Sequence, residues 1–316
     1  MSTATMEFAR VAASVAAVMA LTPAAKSAAA DESGSSDKPS TLDHASEREI
    51  DRTWLYTDDA RVAAPMVLVA TTSVSYTSVG NSPSRIVDPF PGCSAPCNTY
   101  NSFAGNTATP GGMLTAGGEL GLLRRLSLQA VAQVALGGSD DSPGLGVGAI
   151  AGLRFDVLPP ELRDLHLVVS GGYLREAWQG PVYDDDTGKF RSGSPKGDNG
   201  AWIQAAISGD IARLRLAGTV HGEHVFSEGR DPLDIMVQAG ASYRIVGGFR
   251  AGLEYVGQDL EESFTPGAEG GARHFLGPIA SLQLVGDRLT LVGGPSIGLT
   301  TRSPDVLGRI ALSYAF

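Results

Sequence analysis

The residues of this chain whose types and spacing could do chemistry fall into four small groups. His221, Glu223 and Asp234 are the ingredients of an acid–base constellation, in which an imidazole passes a proton and a carboxylate orients it. Trp202, Gln204, Gln238, Glu254 and Gln258 would add polar and aromatic surface for a small polar solute if they shared a wall with that trio. Arg215, Arg244 and Arg250 against the single acid Asp210 would form a basic patch, and in a narrow space of low dielectric such a patch attracts anions. Asp156, Glu119 and Glu254 offer the alternative, a salt-bridged interior in which the arginines are neutralised. Asp184, Asp185 and Asp186 precede Gly188 as in a calcium loop, but the twelfth position from Asp184 is Pro195, so no acid closes the site. They read as a solvated loop tip, and neither a metal site nor a cofactor is expected.

Whether these groups can meet depends on the elements that carry them. Glycine is abundant at 40 residues, charged residues make up 18%, and the net charge is −10. Mean hydropathy is +0.02, too polar for a bundle of membrane helices. Neutralising phosphates needs a basic face, so the acidic balance argues against nucleic acid as a partner. From Ala64 onward no segment sustains a helical period. Runs of alternating polarity recur instead, at 64–77, 113–122, 126–136, 144–158, 165–177, 201–211, 214–226, 233–245, 249–260, 275–285, 288–300 and 305–316. Period 2 is the signature of a strand, because successive side chains point to opposite faces. About twelve strands are expected.

Their faces differ in kind. Val147, Ala149, Ala151, Leu153 and Phe155 share one side of the fourth run, and Ile235, Val237, Ala239, Ala241 and Tyr243 one side of the eighth. The other side carries Gly, Ser, Thr and Gln, as at Ser127, Gln129 and Gln133. A soluble sandwich would show water a Lys/Glu-rich face, whereas a barrel with lipid outside and a polar inside would look like this. Connections tend to alternate short, such as 212–213 and 246–248, and long, such as 78–112 and 178–200. Register agrees: pairing Asp210 with Arg215, and Arg244 with Arg250, keeps all four on the polar face, and a slip of one residue would turn a member outward. The expected fold is all-β, a single antiparallel transmembrane β-barrel over 64–316.

The last run ends Ile310-x-Leu312-x-Tyr314-x-Phe316 on one face, with Arg309, Ala311, Ser313 and Ala315 on the other. This segment resembles the C-terminal strand of Gram-negative outer-membrane β-barrels. The resemblance implies that the barrel-insertion machinery reads Ile310, Leu312, Tyr314 and Phe316, and that outer-membrane lipid surrounds the protein. At the other end, Arg10, the apolar run 11–21 and Ala28-Ala29-Ala30 read as a secretory signal peptide over 1–30. Polar residues 31–63 show no sustained period and read as a flexible periplasmic segment, with both termini expected in the periplasm. In an exported protein Cys93 and Cys97, the only cysteines, favour a disulfide that stiffens the first long loop.

Function follows less directly, because a fold does not imply one. Twelve strands fall between small barrels filled by side chains and wide porins. The first expectation is a narrow passive, porin-like channel for small polar or anionic solutes, with no plug domain. The second is a closed structural or adhesin-type barrel that displays its loops. A barrel hydrolase is the third: an acid–base pair would have to sit at the mouth, His224 is expected outward with no serine opposite it, and no catalytic residue is assigned.

Overall fold

The computed structural model describes residues 57–58, 60–78, 111–139, 142–159, 162, 164–179, 181–184, 189–192, 197–226, 233–258, 260, 273–285, 288–300, 303 and 305–316. The signal peptide, the Cys93/Cys97 loop, most of the 31–63 segment and Asp185 and Asp186 lie outside the described residues.

Fourteen strands are present: β1 (Leu68–Ser78), β2 (Gly111–Leu123), β3 (Leu126–Ser139), β4 (Ser142–Asp156), β5 (Leu165–Gln179), β6 (Pro181–Asp184), β7 (Lys189–Ser192), β8 (Asp198–Ile211), β9 (Leu214–Val225), β10 (Asp234–Val246), β11 (Phe249–Gln258), β12 (Arg273–Leu284), β13 (Leu289–Gly298) and β14 (Val306–Ala315). Twelve of them close into an antiparallel barrel in which each strand pairs with its sequence neighbours and β5 passes directly to β8. The remaining two, β6 and β7, form a separate hairpin inside the connection that the sequence reads as an acidic loop. The twelve expected strands are the twelve of the barrel.

The final strand completes the ring. β14 pairs with β1 from Val69↔Ala315 to Ser78↔Val306, and the amide of Phe316 donates to the Leu68 carbonyl at 2.9 Å. Closure satisfies the row of backbone groups that an open sheet would leave at its edge, which is the condition for a sheet to stand in lipid. β1 starts four residues later than the alternation suggests. Ala64–Val67 is a turn instead, with Pro65 at its second position and Met66 at φ 64°, closed by the Val67 amide on the Ala64 carbonyl at 3.0 Å. Pro65 sets its own φ and has no N–H for a ladder, so the chain reverses there.

Outward positions form an apolar belt. Ile203, Val220, Leu253, Ile297 and Ile310 are each more than half exposed. Aromatic residues stand toward the belt's two ends: Phe155, Tyr243 and Phe316 beside the short turns, Tyr76, Phe226 and Tyr255 beside the long connections. An apolar band flanked by aromatic girdles is the exterior of a membrane-embedded barrel. No helix among the described residues is long and apolar enough to cross a membrane.

Inside, alternation places small polar residues such as Ser127, Ser208, Thr219 and Ser281 in buried positions. The interior is less uniformly polar than the sequence suggests. Ala217 of β9 packs with Ile279 of β12, Val292 of β13 and Ala311 of β14, and Val256, Phe275 and Leu307 form a second inward apolar cluster. Part of the bore is therefore filled by the wall's own side chains.

Candidate functional site in the barrel interior

The site is assembled by inward positions near the short-turn end of the strands, and by a piece of chain that is not part of the wall. Asp210 is the penultimate residue of β8 and Arg215 the second of β9; their register pairing lets Arg215 Nε and Nη2 donate to the two Asp210 oxygens at 2.8 Å each. Such a two-point fork is the strongest form of ion pair in geometric terms. Arg250 stands opposite Arg244 across β10 and β11, and Arg215 opposite Ser242 of β10. All four residues of the expected basic patch thus share adjacent strands. Arg215 and Arg250 are each 2% exposed.

The unforeseen component is Thr57–Ala63. The sequence assigns it to a flexible periplasmic segment, yet its described residues run inside the barrel. The physical reason is the inner wall, which presents charges in need of partners in a bore wider than their side chains can fill. Asp58 is the centre. Its carboxylate accepts from Arg154 Nη1 at 2.5 Å, Arg154 Nη2 at 3.0 Å and Gln204 Nε2 at 2.6 Å, while its amide donates to Thr219 Oγ1 at 3.0 Å. Arg61 Nη2 reaches Asp210 Oδ2 at 2.7 Å, so Asp210 is shared by two guanidiniums. Two wall carboxylates take backbone amides: Glu254 from Thr57 at 2.6 Å and Glu119 from Ala63 at 2.8 Å. Ala60 and Val62 pack against Val168 and Ala206. Glu119 also accepts from Ser127 Oγ at 2.6 Å and lies 3.5 Å from Arg154 Nε. Arg154 is thus paired with Asp58 and Glu119, and Arg215 with Asp210.

Above this level the expected solute-binding residues Trp202, His221 and Glu223 are brought together. His221 Nε2 bonds Glu223 Oε1 at 2.7 Å and its Nδ1 bonds Gln204 Oε1 at 3.1 Å. The Trp202 ring stacks on the imidazole with centroids 5.8 Å apart and planes 13° apart. A side-chain chain therefore runs Glu223–His221–Gln204–Asp58–Arg154 across β9, β8, the inner segment and β4. Both ring nitrogens of His221 are engaged, so its place is a link in a network. Gln238 faces inward beside Thr219, and Glu254 serves the inner segment. Asp234 is opposite Glu223 in the β9–β10 register. No cluster of three His, Cys, Asp or Glu among the described residues could hold a metal.

Trp202 has room because two glycines lie under it. It is in register with Gly172 of β5, which is opposite Gly152 of β4. A Cβ on Gly152 would stand 2.5 Å from Trp202 Cζ2. Gly152→Val is expected to cost about 1–3 kcal/mol, the usual effect of overpacking, because both the indole and the neighbouring backbone must shift. The midpoint of urea unfolding in lipid vesicles would show it; an unchanged midpoint would mean that Trp202 is free to move away.

Thr57, Asp58, Arg61 and Arg154 are the site residues that sequence reasoning misses. The available signal was the number of charges on the inner face, which exceeds what Asp210 alone could pair.

The closed twelve-stranded sheet, its apolar belt and its polar and charged interior define a transmembrane β-barrel of the outer-membrane type. No family model and no curated protein matches the sequence. Among solved structures, the chain is similar to an outer-membrane channel from Pseudomonas putida F1, with TM-score 0.50 and 10% identity over 83% of this chain and 100% of that one. It is also similar to the transport unit of the autotransporter AIDA-I from Escherichia coli, at TM-score 0.45 and 12% identity over 89% of this chain and 100% of that one. The β domain of the Bordetella autotransporter BrkA gives 0.45 and 10% over 79% and 99%. At 10% identity the likeness to the channel is one of fold alone.

Proposed function

We propose that the protein is a narrow passive channel for small polar solutes, anions among them, with both chain ends on the periplasmic side. The observation that carries this reading is the bore itself. Twelve strands enclose more space than their inward side chains occupy at the short-turn end, and the remainder is taken by a peptide segment that the wall holds through hydrogen bonds and ion pairs. A wall built to be filled permanently would meet that segment with apolar packing, as buried polar pairs add little net stability. The likeness to an outer-membrane channel from Pseudomonas putida F1 agrees in fold. Anion preference would come from Arg215, Arg244 and Arg250, with Arg61 and Arg215 competing for the one carboxylate of Asp210. Trp202, His221, Glu223, Gln238 and Glu254 would line the path beyond them.

Planar-bilayer recording of the full-length protein under a salt gradient tests the proposal. Discrete steps are expected, with a reversal potential on the anion side that collapses toward zero in the Arg215→Ser, Arg244→Ser, Arg250→Ser variant. Silence from inserted protein in every variant would remove the channel reading. It would leave the second one, a closed barrel that displays its connections, which the packing of Ala217 against Ile279, Val292 and Ala311 favours.

A further inference from the structure

Three features of the interior are left over once the channel reading is stated: the seated segment 57–63, the turn that carries it, and a glycine where it crosses the wall. We infer that the segment is a tethered plug, a built-in gate that closes the short-turn half of the bore and leaves it by pivoting at Ala64–Val67. The inference rests on the channel reading and adds the element that controls it.

The seat is specific. Asp58, Arg61 Nη2 and the amides of Thr57 and Ala63 each meet a wall group, while Thr57 Oγ1 and Arg61 Nε are buried without a hydrogen-bond partner. Asp58 is held by Arg154, Gln204 and Thr219 from β4, β8 and β9, and Arg61 by Asp210 of β8. The Arg61 carbonyl accepts from Arg154 Nη2 at 3.2 Å. With the Thr57 amide on Glu254 of β11 and the Ala63 amide on Glu119 of β2, the contacts reach across eight adjacent strands of the twelve, so the segment crosses the bore instead of lining one side of it. At its exit it passes Gly121 of β2, where a Cβ would stand 2.5 Å from the Ala63 carbonyl oxygen; only glycine admits the backbone at that distance. The chain then turns at Pro65–Met66 and joins the wall, the Met66 amide donating to the Gly121 carbonyl at 2.9 Å. Met66 is 84% exposed and holds a positive φ that residues with a Cβ adopt at a cost. The pivot is therefore outside the packed interior.

The hold is also reversible in kind. It consists of polar contacts to groups that water could serve equally well, plus the small apolar contact of Ala60 and Val62 with Val168 and Ala206. When the segment leaves, Arg154, Asp210, Glu119 and Glu254 stay on the wall as a polar lining that water and ions can wet.

The test is single-channel recording of the full-length protein with Cys93→Ser and Cys97→Ser as background. Ala60→Cys with Ala206→Cys places two thiols where these residues pack together, and leaves every ion pair in place. The oxidised form is expected to lose at least nine-tenths of the open time of the background protein, and a reductant to restore it. Asp58→Ala with Arg61→Ala, which uncouples the segment, is expected to raise open time at least fivefold. Equal conductance of the oxidised and reduced pair would overturn the plug while leaving the channel standing. Silence of all forms, the uncoupled one included, would overturn both.

Discussion

Replacing Arg154 by alanine is expected to destabilise the folded barrel by about 3–5 kcal/mol, the cost of breaking a buried ion pair and leaving its partner charges uncompensated. Arg154 is 4% exposed and serves two carboxylates, Asp58 of the inner segment and Glu119 of β2, besides the Arg61 carbonyl. While the segment is seated, its removal leaves both acids buried without their guanidinium partner. Arg154→Lys should recover only part of the loss, because a point charge cannot make the two-point contact to Asp58. Reversible urea unfolding in lipid vesicles measures the effect. The double variant Arg154→Ala with Asp58→Ala should lose less than the single changes add up to, since removing one partner relieves the other. A single-variant loss below about 1 kcal/mol would mean that Arg154 pairs as a solvated surface residue does.

The second large effect is expected on the opposite face. Val220 lies in the middle of β9, 53% exposed, between Ala205 of β8 and Val237 of β10. In lipid, Val220→Arg should cost about 2–4 kcal/mol, the penalty for a guanidinium near the bilayer midplane of a barrel. Val220→Leu should be close to neutral. Its neighbour Thr219 points inward and holds Asp58, so Thr219→Val should act on the seated segment and leave the lipid face untouched. Vesicle unfolding midpoints for Val220→Arg and Val220→Leu settle which medium the belt meets. Equal midpoints would place Val220 in water and remove the membrane assignment.

These two residues mark what an inward and an outward position mean for this chain, and both are legible as faces of a strand. The pairing of Asp210 with Arg215 and of Arg244 with Arg250 is legible in the sequence, since the connecting turns are short and a slip of one residue would turn a member outward. The outward set on β14, Ile310, Leu312, Tyr314 and Phe316, follows in the same way, and the strand they lie on closes the ring. The hairpin β6–β7 was hidden because its strands are four residues each, too short for alternation to stand out from an acidic loop.

What the sequence by itself determined is the barrel: strand number, faces and register, because each depends on neighbours along the chain or across one turn. What only the tertiary structure decided is the state of the interior. Asp58 meets Arg154 at a separation of 96 residues, and Thr57 meets Glu254 at 197. No periodicity in the segment 57–63 records those partners, since its described residues adopt neither strand nor helix and are held by the wall around them. The apolar contact of Ala217 with Ile279, Val292 and Ala311 is of the same origin. Both depend on how wide a closed ring of twelve strands leaves its bore, which becomes definite only when the ring has closed.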